Sequence, residues 1–341
     1  MGLSLHFYPC SYEKMCIKLT LLGANVKILV LGGVPLKKSI FILLLSCLLV
    51  LSGCASSQSS QAIQGDFQAA ATTYPVYLLS QAVTEGVDGV SVSLVIDQEV
   101  SCLHDYTLTM QDMRRVEQAD VLLINGLGLE DFLDDVLKGR SIIDCSQGIT
   151  PREPEEDDGH GHDHGLESDH SHETDPHIWM DPRNAAVMAQ NIAQGLAELD
   201  PDHAEAYLAN AEAATQELTA FREEMLDLLD GGHYDLITFH DGFAYFADSF
   251  GMHLLAAVEE EEGSEASAKT IVEITHLVEE NGLPAVFTEV NGSDATALAI
   301  CRECGIETYP LSMCMSGEGG GLEAYETVIR QNIETIMEAY Q

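Results

Sequence analysis

Basic residues are scarce in this 341-residue chain: 15 lysines and arginines stand against 56 aspartates and glutamates, a formal charge of −41 with histidine neutral. So acidic a chain repels phosphate backbones and attracts cations, which excludes nucleic acid as a partner. Long hydrophobic runs are missing too. The apolar run from Ile40 to Leu51 falls short of the roughly 20 residues that a membrane-spanning helix needs. No HExxH pair occurs and no general base stands at a motif spacing, which argues against a hydrolytic metalloenzyme. Cys301 and Cys304 form a CxxC with no second CxxC and no thioredoxin-like context before it, which argues against a redox centre or a zinc ribbon.

What is present at the N-terminus reads as an export signal. Residues 1–53 hold five of the 15 basic residues and one acid, Glu13. Lys37 and Lys38 precede the apolar run, and Leu51-Ser52-Gly53-Cys54 matches the lipobox of bacterial lipoproteins. The expectation is cleavage before Cys54, lipidation of its thiol, and anchoring to the outer face of the cytoplasmic membrane or as a periplasmic lipoprotein. The segment before Val34 is unlike any signal, which points to Val34 as the true start. Residues 54–65 are small and polar, suited to a flexible tether. Beyond residue 53 there remain 10 basic and 55 acidic residues, a charge of −45, and enough chain for two modest domains. Five cysteines follow Cys54, namely Cys102, Cys145, Cys301, Cys304 and Cys314. Their number is odd, and their connectivity is not readable from spacing.

From Phe67 onward, short β-branched runs alternate with helical periodicity. Strands are predicted over Phe67–Thr73, Val90–Ile96, Val121–Asn125 and Ser141–Asp144, then over Leu236–His240, Leu254–Val258, Ala285–Val290 and Glu307–Leu311. Helices are predicted over Met110–Ala119, Ala268–Glu280 and Ala295–Cys304, with another starting near Asn184. Such alternation is the signature of parallel α/β sheets. Between the two halves, Asp202–Asp230 has no glycine or proline and carries a helical apolar stripe. Its length suits a rigid strut. The predicted architecture is therefore two parallel-sheet α/β lobes, residues 66–201 and 231–341, joined by one long rigid helix at 202–230.

Chemistry concentrates in histidine. Gly159–His172 carries His160, His162, His164, His170 and His172 among acidic residues. That stretch, within a loop spanning 153–173, cannot build a core, and its imidazoles are mostly neutral ligands for Zn²⁺, Cu²⁺ or Ni²⁺ at pH 7. A mobile loop offers many weak sites, so a defined site needs histidines fixed by structure. Three others qualify: His104, His177 in Asp175-Pro176-His177-Ile178-Trp179-Met180-Asp181-Pro182, and His240, which ends a predicted strand ahead of Asp241-Gly242. Ligand crevices of α/β folds lie at such strand ends.

The sequence resembles the zinc and manganese solute-binding proteins of ABC transporters, from about Asp66 to the C-terminus. The resemblance rests on Thr73-Tyr74-Pro75-Val76, the turn Asn125-Gly126-Leu127-Gly128-Leu129-Glu130, the DPHIWMDP stretch, and Phe239-His240-Asp241-Gly242-Phe243-Ala244-Tyr245-Phe246, in that order. It implies a metal site in the cleft between the lobes, with His104, His177 and His240 as ligands, and an ABC permease and ATPase as partners of a monomer. Manganese members usually carry a carboxylate where this chain has His240, so three imidazoles favour Zn²⁺. Cys102-Leu103 replaces the usual Asp-Pro before the first histidine. No residue cleanly matches the family's fourth ligand; the candidates are Glu289, Cys314, Glu318 or a water, with a disulfide from Cys314 to Cys301 or Cys304 as the alternative for that thiol. A surface adhesin or a zinc reservoir on the same fold is the competing function, and no catalytic residue is expected.

Overall fold

A computed structural model describes residues 67–98, 103, 106–152, 174–258 and 267–341, and the backbone of 4–11, 14–21 and 24–31. The chain divides into two units, residues 1–64 and 65–341. The first unit contains an antiparallel sheet of β1 (Ser4–Ser11), β2 (Lys14–Leu21) and β3 (Ala24–Leu31), in that order. Sequence reading anticipated no strands there, although Met15, Ile17, Leu19 and Leu21 alternate with Lys14, Cys16, Lys18 and Thr20, a period of two. The apolar run and Cys54 lie outside the described residues.

The second unit opens with β4 (Phe67–Ala71), α1 (Tyr74–Val83), β5 (Val90–Leu94), α2 (Met110–Gln118) and β6 (Val121–Ile124). A 3₁₀ turn at Asp131–Leu133 leads into α3 (Asp134–Leu137) and β7 (Ile142–Asp144). A second 3₁₀ turn, Ile178–Met180, precedes α4 (Pro182–Leu199) and α5 (Ala204–Leu229). The remainder is β8 (Asp235–Thr238), α6 (Ala244–Phe250), β9 (His253–Ala257), α7 (Ala268–Asn281), β10 (Ala285–Glu289), α8 (Ala295–Cys304), β11 (Glu307–Leu311) and α9 (Gly321–Ala339). Two four-stranded, all-parallel sheets result, ordered β5-β4-β6-β7 and β11-β10-β8-β9.

Local chemistry explains where the elements end. Strand β4 stops at Ala71, short of the predicted Thr73, because Pro75 occupies the first turn of α1 with Thr73 at its N-cap; proline's fixed φ suits that position. Asp181 starts α4 by accepting from the Arg183 backbone N–H at 2.8 Å, two residues earlier than the sequence suggested. Helix α5 runs 26 residues, roughly 39 Å at 1.5 Å per residue. It carries the chain from the first sheet to the second and packs on α4, α1, α9 and α6.

A second bridge was not foreseen. Helix α9, after the last strand, packs on α1 of the first lobe as well as on α5 and β11. The main apolar core is accordingly continuous across both lobes, running from Leu78 and Leu79 through Trp179, Tyr207 and Phe221 to Phe243, Phe287 and Tyr325. A smaller cluster around Ile237, Ile274, Val286 and Ile300 fills the far side of the second sheet.

The turn after β6 shows how tightly the first lobe is specified. Gly126 has φ +89°, and a Cβ there would meet Asp144 Oδ1 at 2.3 Å, so only glycine fits. Inside the turn Glu130 is buried, and burial pushes its carboxyl up to about 7 against the opposing pull of its three donors. Oε1 accepts from Thr72 Oγ1 at 2.7 Å and from the Asn125 N–H at 2.7 Å, and Oε2 accepts from the Gly126 N–H at 3.0 Å. Glu130→Gln must turn an amide N–H₂ toward one of these donors. The expected loss is about 1–3 kcal/mol, the cost of an orphaned buried donor. Thermal unfolding should record a midpoint lowered by several degrees, and an unchanged midpoint would show that the turn tolerates the mismatch.

Candidate metal centre

His177 sits in a turn held from several directions. Asp175 Oδ1 accepts from the His177 backbone N–H at 2.9 Å and lies 2.8 Å from the ring Nδ1. Asn125, from the turn after β6, donates its Nδ2 to Pro176 O at 2.9 Å. Trp179 is fully buried, donates Nε1–H to Met313 O at 2.8 Å, and accepts at its own carbonyl from Tyr325 OH at 2.7 Å. Both of those partners belong to the second half of the chain.

His240 is positioned by strand register. β8 and β10 are parallel neighbours with Phe287 opposite Thr238. Glu289 closes β10 and His240 follows the bend after β8, so the two emerge together at the C-terminal edge of the sheet. Thr238 Oγ1 donates to His240 O at 3.0 Å, and Glu289 Oε2 lies 3.5 Å from His240 Nδ1. Burial pushes the Glu289 carboxyl up to about 8.

The two imidazoles meet edge to face. Their centroids are 5.3 Å apart at 83°, and the two Nε2 atoms face each other at 3.4 Å. Each side chain is only slightly open to solvent, 12% for His177 and 13% for His240. Asp175 at 2.8 Å from His177 Nδ1 favours a proton there and leaves the His177 Nε2 lone pair facing His240, whose own Nδ1 lies on the side of Glu289. Two lone pairs pointed at one another repel, and a cation between them reverses the sign. Nitrogens at about 2.0–2.1 Å from a tetrahedral zinc stand roughly 3.3–3.4 Å apart, which matches the observed separation.

The other sequence candidates are placed as follows. His104 and the loop histidines His160, His162, His164, His170 and His172 lie outside the described residues; beside His104, Leu103 is buried in the core. Among the described residues, no group of three or more His, Cys, Asp or Glu could hold a metal ion. Glu289 stands on the Nδ1 side of His240, away from His177. Cys314 is buried at φ +59°, with its thiol pushed up to about 12 by burial, the state of an inert core thiol. Glu318 is exposed and lines a cavity of about 510 Å³ with Tyr74, Asp97 and Arg115, a lining that includes neither His177 nor His240. Cys145, Cys301, Cys304 and Cys314 are free thiols, so no disulfide joins Cys314 to the CxxC pair.

Sequence reading missed three contributors. Asp175 is one, and a carboxylate two residues before a turn histidine is the signal that could have shown it. Tyr245 OH accepts from the Arg152 N–H at 2.8 Å and donates to Asp175 O at 3.1 Å, while Arg152 pairs with Asp248. The two sides of the 153–173 segment are thereby held on α6, next to His177. Gly242 is the third, since a Cβ there would meet the His240 ring at 2.8 Å and Met313 Cε at 2.4 Å. Gly242→Ala should displace the His240 ring and weaken metal binding about tenfold or more, as misplaced supporting groups do. Isothermal titration checks this, and unchanged affinity would mean that Met313 alone absorbs the methyl.

Residues 70–339 match the family described as ZnuA, "Zinc-uptake complex component A periplasmic". The zinc-binding protein AdcA of Streptococcus pyogenes serotype M3 is 25% identical over 319 residues, covering 88% of this chain and 61% of AdcA; the chain thus spans about three fifths of the length of such relatives. The manganese-binding lipoprotein MntA of Halalkalibacterium halodurans is 26% identical, covering 85% of this chain and 94% of its own. The iron-binding protein YfeA of Yersinia pestis is 28% identical, covering 77% and 84%. Among solved structures, a crystal structure of ZnuA superposes with TM-score 0.66 at 27% identity, covering 81% of this chain and 99% of that one. A ZnuA deletion mutant with zinc bound gives 0.65 at 27%, covering 80% and 97%. The family is one of transport components rather than enzymes, and with two parallel-sheet lobes and a match over most of its length, this chain belongs to the ZnuA family of metal solute-binding proteins.

Proposed function

We propose that this protein captures Zn²⁺ outside the cytoplasmic membrane and delivers it to the permease and ATPase of an ABC importer. One observation carries the reading: His177, from the turn before α4, and His240, from the end of β8, face each other through Nε2 at a zinc-compatible 3.4 Å, with an acidic side chain on the Nδ1 side of each. His104 completes a three-nitrogen site in this reading, and imidazole donors favour Zn²⁺ over Mn²⁺. The binding of zinc, manganese or iron by relatives that share the family supports a transition-metal cargo. The acidic surface raises the local concentration of cations near the site. Cys54 supplies the lipid anchor, and the histidines of 153–173 act as an auxiliary collector.

Competition titration with a zinc chelator, on the full chain and on a variant lacking residues 153–173, tests the proposal. Ordering backbone on chelation costs about 1–2 kcal/mol per residue, so a site assembled only when metal binds is weak beside a preformed one. The variant should bind fewer zinc ions in total and keep one tight site, with manganese displaced by zinc. Loss of the tight site on deletion, or preference for manganese, would overturn the assignment.

A further inference from the structure

We propose that Met313 is the positioning residue that sets the spacing between His177 and His240, its main chain bracing one ring and its side chain the other, and that this spacing lets the site select cations by size. It rests on the zinc-site reading above and adds a means of selection beyond donor type. Met313 follows β11 and is 2% exposed. Its carbonyl accepts from Trp179 Nε1–H at 2.8 Å, and that indole packs edge to face on the His177 ring with centroids 5.3 Å apart. Its thioether borders the other ring. A Cβ at Gly242 would stand 2.4 Å from Met313 Cε, 3.1 Å from Sδ and 2.8 Å from His240 Cδ2, so thioether and imidazole share the hollow over that glycine.

Met313 is itself held from behind. Asn332, buried on α9, accepts from the Ser312 N–H at 2.8 Å and donates its Nδ2 to Ser312 O at 2.8 Å. Ser312 Oγ then accepts from the Cys314 N–H at 3.2 Å, closing a turn in which Cys314 has φ +59°. Met313 lies between these two clamped residues. A methionine suits the place because its unbranched chain bends to fill an irregular gap. Movement of the His240 ring toward Gly242 must displace the thioether, and withdrawal of Met313 must break the Asn332 clamp. Nitrogens held 3.4 Å apart fit bonds of about 2.0–2.1 Å to zinc. Cadmium has the same charge and also binds imidazole, but it is larger, so it must spread the rings against packed atoms.

Full-length parent, Met313→Ala and Met313→Leu are compared in zinc and cadmium titrations against a chelator. Alanine keeps the carbonyl that holds Trp179 and deletes only the thioether. Zinc affinity should fall about tenfold or more in Met313→Ala, as it does when a ligand's support is lost, while cadmium affinity changes about threefold or less. The preference for zinc should therefore shrink. Met313→Leu restores most of the volume and should fall between the two. In the metal-free proteins, ¹³C relaxation of the His240 ring should show wider motion in Met313→Ala than in the parent. Equal losses for both ions would reduce Met313 to a structural residue and overturn the proposal, as would unchanged affinities with unchanged ring motion. A sulfur neighbour of bound zinc in X-ray absorption of the parent would make Met313 a ligand and overturn it too. A parent protein that binds no zinc would instead refute the zinc-site reading, and the metal-free ring motion would still report on the brace. Trp179 is the chain's single tryptophan, so an unchanged emission maximum shows that a variant keeps the carbonyl anchor. Met313→Leu carries the test should Met313→Ala not fold.

Discussion

Zinc binding to His177→Ala or His240→Ala should be weaker than binding to the parent protein by about three orders of magnitude, or about 4 kcal/mol at 1.4 kcal/mol per tenfold. Zinc held by a handful of protein ligands gains on the order of 10–16 kcal/mol in total, so one ligand of three or four accounts for a loss of that size. The two substitutions should not be additive. Either one leaves a single imidazole facing the position where its partner stood at 3.4 Å, and the second removes a ligand from a site already broken. The five histidines within 153–173 remain in both variants, so weak binding should persist. Calorimetry separates the two classes by affinity, and a tight site that survives both substitutions would move the cargo site elsewhere in the chain.

Trp179→Ala should be the most destabilising single change at the junction of the lobes. The indole is fully buried, and its Nε1–H reaches Met313 O at 2.8 Å. Removing so large a buried ring costs about 3–5 kcal/mol in cavity and transfer terms, a large share of the 5–15 kcal/mol that holds a typical protein folded. Trp179→Phe refills most of the volume but orphans the Met313 carbonyl, at roughly 1–3 kcal/mol. The His177 ring packs edge to face on Trp179 at 5.3 Å, so both variants should also weaken zinc binding. Chemical denaturation paired with zinc titration checks both effects. A Trp179→Ala protein as stable as the parent would contradict the shared core.

Much of the fold was readable because parallel α/β lobes announce themselves through buried β-branched runs and intervening amphipathic helices. Glu307–Leu311 and Ala295–Cys304 have the predicted bounds, and most other strands shift by a residue or two. Helix α1 went unread: YPVYLL is apolar and aromatic, and only the position of Pro75 marks a helix start over a strand. The crossing of α9 onto α1 could not be read at all, since nothing local in a terminal amphipathic helix says which lobe its apolar face covers. In the centre, His177 and His240 stood out as histidines at a turn and at a strand end. Their backing by Asp175 and Glu289 did not, because it depends on the register of β8 against β10 and on a side chain folding back two residues. The period-two alternation of β1 to β3 was overlooked for a different reason: the segment before Val34, unlike any signal, was set aside as preceding the true start.

One zinc ion should lie between the Nε2 atoms of His177 and His240. Crystals of the zinc-loaded protein measured on either side of the zinc absorption edge locate the ion directly. A single strong anomalous peak is expected about 2.0–2.1 Å from both Nε2 atoms, with Glu289 on the far side of the His240 ring. A peak coordinated by Glu289 or Cys314 without His177, or zinc found only on the 153–173 segment, would contradict it.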